Sequence, residues 1–256
     1  ADTLQAAWKG REALNAKWDR GVEPTLSTAS IEKVLADGLD KPGREGRNDE
    51  GVPRALRQAH QRVLAEYFLP YLSHAIMEPM NATAHVQADQ CEVWAPTQSQ
   101  SGVQRAAAPI TGLEREQIKV HTPYLGGGYG GRGATEGVQE AVALSKATGK
   151  PIKVIWTREE DIKYEAYRPG YAHRIEASLD QQGQVTSWTH KVVGGSARGP
   201  GGGGGLRNLQ YQVPHIKSAN VPVETIPTRP WRSPGGSHFG FTVESFMDEL
   251  AHAAKQ

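Results

Sequence analysis

The chain has 256 residues, enough for one large domain or two modest ones, and its formal net charge of +1 gives no reason to expect nucleic acid as a partner. Its one cysteine, Cys91, excludes an intrachain disulfide and a cysteine-built zinc or iron–sulfur site within these residues. No run approaches the roughly 20 apolar residues of a membrane-spanning helix.

The N-terminal quarter predicts helices and an irregular stretch. Apolar side chains at helical spacing predict a helix over Asp2–Trp18 and a shorter one over Thr28–Ala36. Asp37–Gly51 mixes glycine with charge and shows no periodicity, which predicts a surface loop or a mobile segment.

Strands are predicted next. Alternating or β-prone side chains predict strands at Val63–Leu69, Ala84–Ala88 and Cys91–Trp94. Between the first two lies Tyr71–Asn81, an irregular run rich in polar side chains, and such runs between strands are where sites are usually built. We expect Cys91 to be a small buried hydrophobe rather than a nucleophile.

The stretch Leu125–Arg132 is the most distinctive in the chain, because it places five glycines around one aromatic residue, Tyr129. A predicted strand, Gln117–His121, precedes it, and a predicted helix, Glu136–Lys146, follows. A strand, a glycine loop and a helix N-terminus together form a site for anions or oxo groups. The alternative is an ordinary glycine-rich connection with no chemical role.

The remaining elements complete an alternation of helices and strands. They are a helix over Ser101–Thr111, a strand over Pro151–Trp156, a short helix capped by Thr157, a hairpin of His173–Leu179 and Val185–Val193 turning at Asp180–Gly183, a strand over Ile216–Pro222 and a helix over Thr242–Lys255. Ser196–Gly205 predicts a flexible linker or a disordered loop. This pattern predicts an α+β fold with mixed β-sheet layers and packed helices.

Five blocks then match a known family in order and spacing: His74–Asn81, Val93–Ser99, Leu125–Arg132, Val154–Asp161, and Pro230–Gly235 followed by Val243–Leu250. The sequence resembles the molybdenum-cofactor-binding large subunit of the xanthine oxidase family, within it the isoquinoline 1-oxidoreductase β-subunit and bacterial aldehyde dehydrogenase branch. The resemblance implies that residues 63–256 form the first molybdopterin-binding domain, with a glycine-rich loop at 198–205. It implies the tail of a preceding small α/β domain at 1–22 and a helical or loop connection at 23–62.

The resemblance implies a hydroxylase or dehydrogenase that oxidises aldehydes or N-heterocycles with oxygen from water. The implied cofactor is a molybdenum-pyranopterin, expected in its cytosine dinucleotide form. The implied partners are the remainder of the molybdenum subunit, an iron–sulfur electron-transfer subunit and the small-molecule substrate. Since relatives of this branch are often exported folded with their cofactor, it implies the periplasm.

The family's site residues carry over to named positions. Gln98 would hydrogen-bond a molybdenum oxo ligand, and a neutral amide suits that role. Arg232 would lie near the metal and the pterin, and Arg168 would match an arginine that faces the substrate and stabilises its developing negative charge. Tyr129, where the family usually has phenylalanine, would border the substrate pocket. The backbone of the loop would approach the metal from the other side: Gly126, Gly127, Gly128, Tyr129 and Gly130.

Each role has a simpler alternative. Gln98 could only satisfy loop backbone, and Arg232 could be a clamp for a phosphate or a carboxylate. His74 and Glu78 could pair with each other, bind a metal, or be ordinary surface residues, and we favour the last interpretation. No side chain is predicted to ligate the metal directly.

One family feature is missing. The general base of the family is a glutamate in a Gly-x-Gly-Glu block near the C-terminus of the subunit, and this sequence has no such block. Nothing in the sequence promotes Glu136 to that role. We therefore expect a fragment, or one half of a split subunit, without turnover on its own. Two alternatives are a cofactor-free structural or partner-binding domain and, less favoured, a nucleotide-binding module, which lacks Gly-Lys-Ser/Thr after the glycines.

Overall fold

The structure, a computed structural model of the chain, describes residues 1–19, 21, 26–195 and 209–256. These residues form two compact units, Ala1–Val34 and Leu35–Gln256. The linker predicted at Ser196–Gly205 and the glycine-rich loop at 198–205 lie outside the described residues, so they stay predictions. Within the described ranges, no helix is long and apolar enough to cross a membrane.

The first unit contains helix α1, Leu4–Ala13. Its N-terminus is capped by Thr3, whose hydroxyl accepts the N–H of Ala6 at 3.2 Å. The predicted helix over Asp2–Trp18 is wrong in its extent, because α1 ends at Ala13 and Asn15 adopts a φ of 44°. None of the α1 residues is buried within the described part of the chain. Helix α2, Thr28–Gly38, begins in this unit and ends in the next.

The second unit contains a five-stranded sheet in the order β1-β9-β8-β7-β2. Its strands are β1 Arg44–Asn48, β2 Gln61–Leu69, β7 Tyr171–Leu179, β8 Val185–Gly194 and β9 His215–Val221. Neighbouring strands are antiparallel except for the parallel pair β8 and β9. The hairpin predicted between β7 and β8 is confirmed, with Gly183 at a φ of 75° in its turn.

Strand β1 corrects a prediction, since Asp37–Gly51 was expected to be a loop or a mobile segment. All five of its residues are exposed, so the strand carries none of the apolar alternation that marks a half-buried strand. It forms because its backbone pairs with β9 at the edge of the sheet. Charged side chains are typical of edge strands, which they protect from pairing with other chains.

The other sheet has four strands in the order β5-β4-β3-β6: β3 Asn81–Val86, β4 Cys91–Trp94, β5 Ile118–His121 and β6 Ile152–Ile155. Only the pair β4 and β5 is parallel. Helices α4, Gln100–Thr111, and α5, Glu136–Thr148, bury small apolar side chains against it. Cys91 lies in this cluster, fully buried as predicted, and burial raises the pKa of its thiol to about 11.

The remaining helices are α3 Val52–Gln58, α6 Arg158–Tyr164 and α7 Gly236–Ala253. Thr157 caps α6 as predicted, in a capping box with Glu160. Helix α7 begins at Gly236 rather than at Thr242, directly after Gly235, which adopts a φ of 80°. The mixed sheets with packed helices confirm the predicted α+β fold.

Three buried histidines form a chain between β7, β8 and the start of α7, which we call the histidine core: His173, His190 and His238. His173 Nδ1 lies 2.8 Å from His190 Nε2, and His173 Nε2 lies 3.1 Å from His238 Nδ1. The His238 ring stacks on Tyr171 at 3.8 Å. Burial, with the neighbouring histidines, lowers the pKa of His190 to about 3 and holds that of His173 well below its ordinary value. The rings of His173 and His190 are therefore neutral, and each contact joins an N–H donor to an unprotonated nitrogen.

Candidate functional site

The glycine loop, Leu125–Arg132, lies between β5 and α5, and its backbone explains its composition. Gly127 and Gly130 adopt φ values of 97° and 105°, and Tyr129 itself adopts 52°. A Cβ atom at Gly130 would lie 2.0 Å from the carbonyl oxygen of Pro230. Only glycine fits at that position, because the segment Pro230–Arg232 packs directly against it.

The loop leaves part of its backbone available to a ligand. The N–H of Gly126 donates to Glu78 Oε2 at 2.9 Å, and the N–H of Gly130 donates to Gln98 Oε1 at 3.1 Å. The N–H groups between them, on Gly127, Gly128 and Tyr129, donate to no acceptor among the described residues. Consecutive N–H groups of this kind can bind the oxygen atoms of an anion.

Gln98 lies against this loop. It follows β4, and its backbone N–H donates to the carbonyl oxygen of Arg132 at 3.0 Å. Its Oε1 accepts the N–H of Gly130, so it does satisfy loop backbone as the simpler interpretation predicts. The amide nitrogen of this exposed side chain then remains a neutral donor for a ligand oxygen.

Arg232 joins the same site from the other side. Its backbone N–H donates to the carbonyl oxygen of Tyr129 at 2.6 Å. Its guanidinium carbon lies 5.6 Å from the centroid of the Tyr129 ring, a cation–π distance. The structure thus brings Gln98, the glycine loop and Arg232 together.

Arg168 lies beside the segment that carries Arg232, without a hydrogen bond to the glycine loop in the described structure. Its guanidinium carbon is 5.8 Å from the ring of Trp231, and its Nη2 donates to the carbonyl oxygen of Pro70 at 2.7 Å. Burial lowers its pKa. Its Nε is buried and meets no acceptor within the described ranges, so this donor is oriented but unused.

The surface interpretation of His74 is wrong. Its side chain is 1% exposed, with Nδ1 at 2.7 Å from Glu165 Oε2 and Nε2 at 3.2 Å from the carbonyl oxygen of Pro230. The ring therefore lies between a carboxylate and a carbonyl oxygen, both of which accept hydrogen bonds. Burial raises the pKa of Glu165, but hydrogen bonds from His74 and Ser73 outweigh it and hold the pKa below its ordinary value.

Glu78 is also no ordinary surface residue. It pairs with Arg132 rather than with His74, and its carboxylate accepts hydrogen bonds from Gly126 and Asn81. Burial raises the pKa of Glu78, while these hydrogen bonds and the charge of Arg132 lower it below its ordinary value. Sequence reasoning included Arg132 in a family block but gave it no role, and it did not single out Glu165. Arg132 could have been found from the sequence, because a charged residue directly follows the glycines of the loop. No comparable sequence feature marks Glu165.

The structure also shows what the site lacks. Within the described residues, no three His, Cys, Asp or Glu side chains come together to hold a metal ion. Glu136 accepts hydrogen bonds from Arg229 at 2.8 Å and from the backbone of Thr135 at 2.9 Å, so its carboxylate is engaged. An apolar cavity of about 280 Å³ lies between β8, β9 and α7, and none of the predicted site residues lines it.

The donors present fit an anionic group that carries oxygen atoms. Among the described residues they are the side-chain amide of Gln98, the backbone N–H groups of Gly127, Gly128 and Tyr129, and the exposed guanidinium of Arg232. Such donors match the oxo groups and phosphates of a cofactor better than they match a bare cation.

Comparison with known proteins identifies such a cofactor. The family model described as a molybdopterin cofactor-binding domain matches residues 41–255. The isoquinoline 1-oxidoreductase subunit beta of Brevundimonas diminuta is 32% identical over 69% of this chain and 25% of its own length. The membrane-bound aldehyde dehydrogenase [pyrroloquinoline-quinone] of Gluconacetobacter polyoxogenes is 26% identical over 100% of this chain and 36% of its own.

A solved structure shares the fold. Quinoline 2-oxidoreductase from Pseudomonas putida 86 superposes with a TM-score of 0.71 at 19% identity, covering 86% of this chain and 32% of that one. This chain therefore spans about a quarter to a third of the length of the relatives it matches.

Proposed function

We propose a function for this chain from the premise that it belongs to the family of molybdopterin cofactor-binding domains, which matches it over residues 41–255. Its relatives include an aldehyde dehydrogenase and an isoquinoline oxidoreductase subunit, as the resemblance to the xanthine oxidase family implies. In our proposal the chain forms part of the molybdenum site of an oxidoreductase that oxidises aldehydes or N-heterocycles with oxygen from water.

The observation that carries the proposal is the convergence of Gln98, the glycine loop and Arg232 on one surface. The amide nitrogen of Gln98 and the N–H groups of Gly127, Gly128 and Tyr129, which meet no acceptor among the described residues, would hold oxygen atoms of the cofactor from two sides. Arg232 would hold an anionic part of the pterin, and its stacking on Tyr129 orients it for that contact. When bound, the cofactor supplies the oxygen transfer and the two-electron chemistry.

The chain's own residues would act on the substrate by positioning it. The ring of Tyr129 is 40% exposed and would form an apolar border for a flat aromatic or aldehyde substrate. Arg168 would face the substrate and stabilise its developing negative charge, since its guanidinium lies beside Trp231 in the segment that carries Arg232.

We propose that turnover also needs groups that lie outside these 256 residues. The chain matches only a quarter to a third of its relatives' length, and the engaged carboxylate of Glu136 does not suit a general base. A glutamate from the remainder of the molybdenum subunit would take the proton, and an iron–sulfur subunit would take the electrons. We also propose the cytosine dinucleotide form of the cofactor and a periplasmic location, both on the family resemblance.

The test uses the complete molybdenum subunit that contains this chain. We expect elemental analysis to find about one molybdenum per subunit, and Gln98→Ala to lower kcat roughly 100-fold, as removal of one oriented donor does. Gln100→Ala is the matched control, because Gln100 is exposed at the start of α4. Its kcat should match the wild type.

The 256-residue chain expressed alone should give no turnover. A complete subunit without molybdenum would contradict the proposal and favour a cofactor-free structural or partner-binding domain. A loaded Gln98→Ala variant with unchanged kcat would remove Gln98 from the site while leaving the cofactor in place.

A further inference from the structure

The guanidinium of Arg132 is enclosed directly beneath the glycine loop. Its side chain is 0% exposed, and its Nη2 lies 2.8 Å from Glu78 Oε2. Its Nε donates to the carbonyl oxygen of Gly127 at 3.3 Å. The same Glu78 oxygen accepts the N–H of Gly126 at 2.9 Å. The ion pair therefore holds the loop by two consecutive residues, through a carbonyl oxygen on one and an N–H on the other.

Arg132 also fixes Gln98, which lies on a different element. The carbonyl oxygen of Arg132 accepts the backbone N–H of Gln98 at 3.0 Å and the hydroxyl of Thr97 at 3.2 Å. Gln98 in turn accepts the N–H of Gly130. Both groups of candidate donors, the amide of Gln98 and the free N–H groups of the loop, thus depend on the placement of one residue.

The energetics argue against a role in stability alone. Burial lowers the pKa of Arg132, while the charges of Glu78 and Asp161 raise it. Its Nη1 is buried and finds no acceptor in the described part of the chain. A buried ion pair with an unsatisfied donor adds little to stability, and apolar side chains of similar volume often stabilise a fold as well or better. What apolar side chains would not supply is a fixed direction for the backbone of the loop.

We propose that Arg132, with Glu78 as its counter-ion, is a positioning residue that holds the glycine loop and Gln98 in the geometry that receives the oxygen atoms of the cofactor. It makes no contact with the cofactor itself. This inference rests on the proposed function for its purpose, but the positioning of the loop can be measured without any cofactor.

The first experiment follows hydrogen exchange of backbone amides in this chain without cofactor. The amides to follow are those of Gly126, Gly130 and Gln98, which are hydrogen-bonded in the structure. Arg132→Met keeps the volume of the side chain and removes its charge and donors. We expect exchange at these amides to become at least about 10-fold faster while the sheets keep their protection. Arg132→Lys, which retains the charge without the planar fork, should give an intermediate rate.

The matched control is Arg174→Met, in the five-stranded sheet. Arg174 pairs with Asp40 and Glu66 and makes none of the contacts to the glycine loop. Its replacement should leave exchange at the loop unchanged. Should Arg132→Met fail to fold, Arg132→Lys decides: exchange at wild-type rates at Gly126 and Gly130 would overturn the proposal.

The second experiment uses the complete, molybdenum-loaded subunit. We expect the Mo(V) electron paramagnetic resonance spectrum of Arg132→Lys to differ from that of the wild type, with kcat lowered about 10- to 100-fold and KM little changed. An unaltered spectrum and kcat in a loaded variant would overturn the proposal. A wild-type subunit without molybdenum would instead contradict the proposed function, and the exchange experiment would still decide whether Arg132 positions the loop.

Discussion

The molecule buries polar side chains in two different ways. Around the glycine loop it buries pairs of ionisable side chains, His74 with Glu165 and Arg132 with Glu78. In the histidine core it buries imidazoles that hydrogen-bond to one another. The pairs fix backbone segments that have little apolar surface of their own. The histidine core lies instead among large apolar side chains such as Trp188 and Phe246.

The difference teaches where each arrangement is useful. A buried ion pair can fix the backbone conformation of an irregular loop, although burying its charges costs desolvation energy. Helices and sheets do not need such a pair, because their backbone hydrogen bonds already fix their conformation. The histidine core uses both ring nitrogens of His173 and one nitrogen each of His190 and His238 in its two contacts, and it lies against an apolar cluster. The two regions should therefore respond differently to acid and to the loss of single charges.

Lowering the pH should have the largest effect on the free energy of unfolding, because it protonates the histidine core. The folded-state pKa of His190 is about 3 against an ordinary 6.5, so between these values the unfolded chain binds more protons than the folded one. Stability is therefore present above pH 6.5 and is lost as the pH falls, by about 1.4 kcal/mol per unit and roughly 5 kcal/mol in total for this residue. Urea unfolding from pH 7 to pH 4 checks the slope.

His190→Gln is the control for that slope, since glutamine does not titrate. The variant should show a flatter dependence on pH between 6.5 and 4. The carboxyl groups of Glu78 and Glu165 respond only at lower pH, because their folded pKa values lie below the ordinary 4.5. Equal slopes in the variant and the wild type would show that His190 is protonated in the fold.

Removing one charge near the glycine loop should give the next largest effect. Glu165→Gln removes the largely buried carboxylate that accepts the hydroxyl of Ser73 and the backbone N–H of His74 and that faces the His74 ring, which we expect to lower the free energy of unfolding by about 3 kcal/mol. Glu176→Gln is the matched change in the five-stranded sheet, where Glu176 pairs with a half-exposed Arg62. That pair should contribute less than about 1 kcal/mol. Denaturant midpoints of the two variants at pH 7 give the comparison, and equal losses would contradict it.

Backbone crowding at the loop should give a smaller effect. Gly130→Ala adds a Cβ at a φ of 105° and against the carbonyl oxygen of Pro230. We therefore expect the free energy of unfolding to fall by about 2 kcal/mol and the segment Pro230–Arg232 to be displaced. Gly133→Ala is the control, because a Cβ there would meet no described atom within 4 Å. Thermal unfolding of both variants tests this, and similar midpoints would count against the close approach.

The smallest effect should come from the neutral, apolar core of the four-stranded sheet. Cys91→Ala removes only a buried sulfur atom and should cost about 1 kcal/mol. With a thiol pKa near 11, Cys91 should resist alkylation at pH 8 until the protein unfolds. Mass spectrometry of alkylated protein across a urea series checks this, and rapid labelling in the native state would show that the cluster opens.

Most of the helices and strands could be predicted from local sequence patterns, but the side-chain pairs around the glycine loop could not. The hairpin of β7 and β8 and the capped start of α6 follow from alternation, turn residues and Thr157. Strand β1 could not be predicted, because its identity comes from its partner β9. The glycine loop and Gln98 were recognisable by motif, and the structure brings them together. The burial of His74 could not be predicted, because the residues that its ring contacts, Glu165 and Pro230, are remote in sequence.

The approach of Pro230 to Gly130 has a consequence for engineering. A Cβ at Gly130 would lie 2.0 Å from the Pro230 oxygen, and the backbone N–H of Arg232 donates to the carbonyl oxygen of Tyr129. The two segments, Gly126–Arg132 and Pro230–Arg232, should therefore be exchanged together. A side chain introduced at Gly130 would displace Pro230–Arg232, so a change in one stretch requires a matching change in the other. Chimaeras that exchange both stretches together should be more stable to heat than chimaeras that exchange only one.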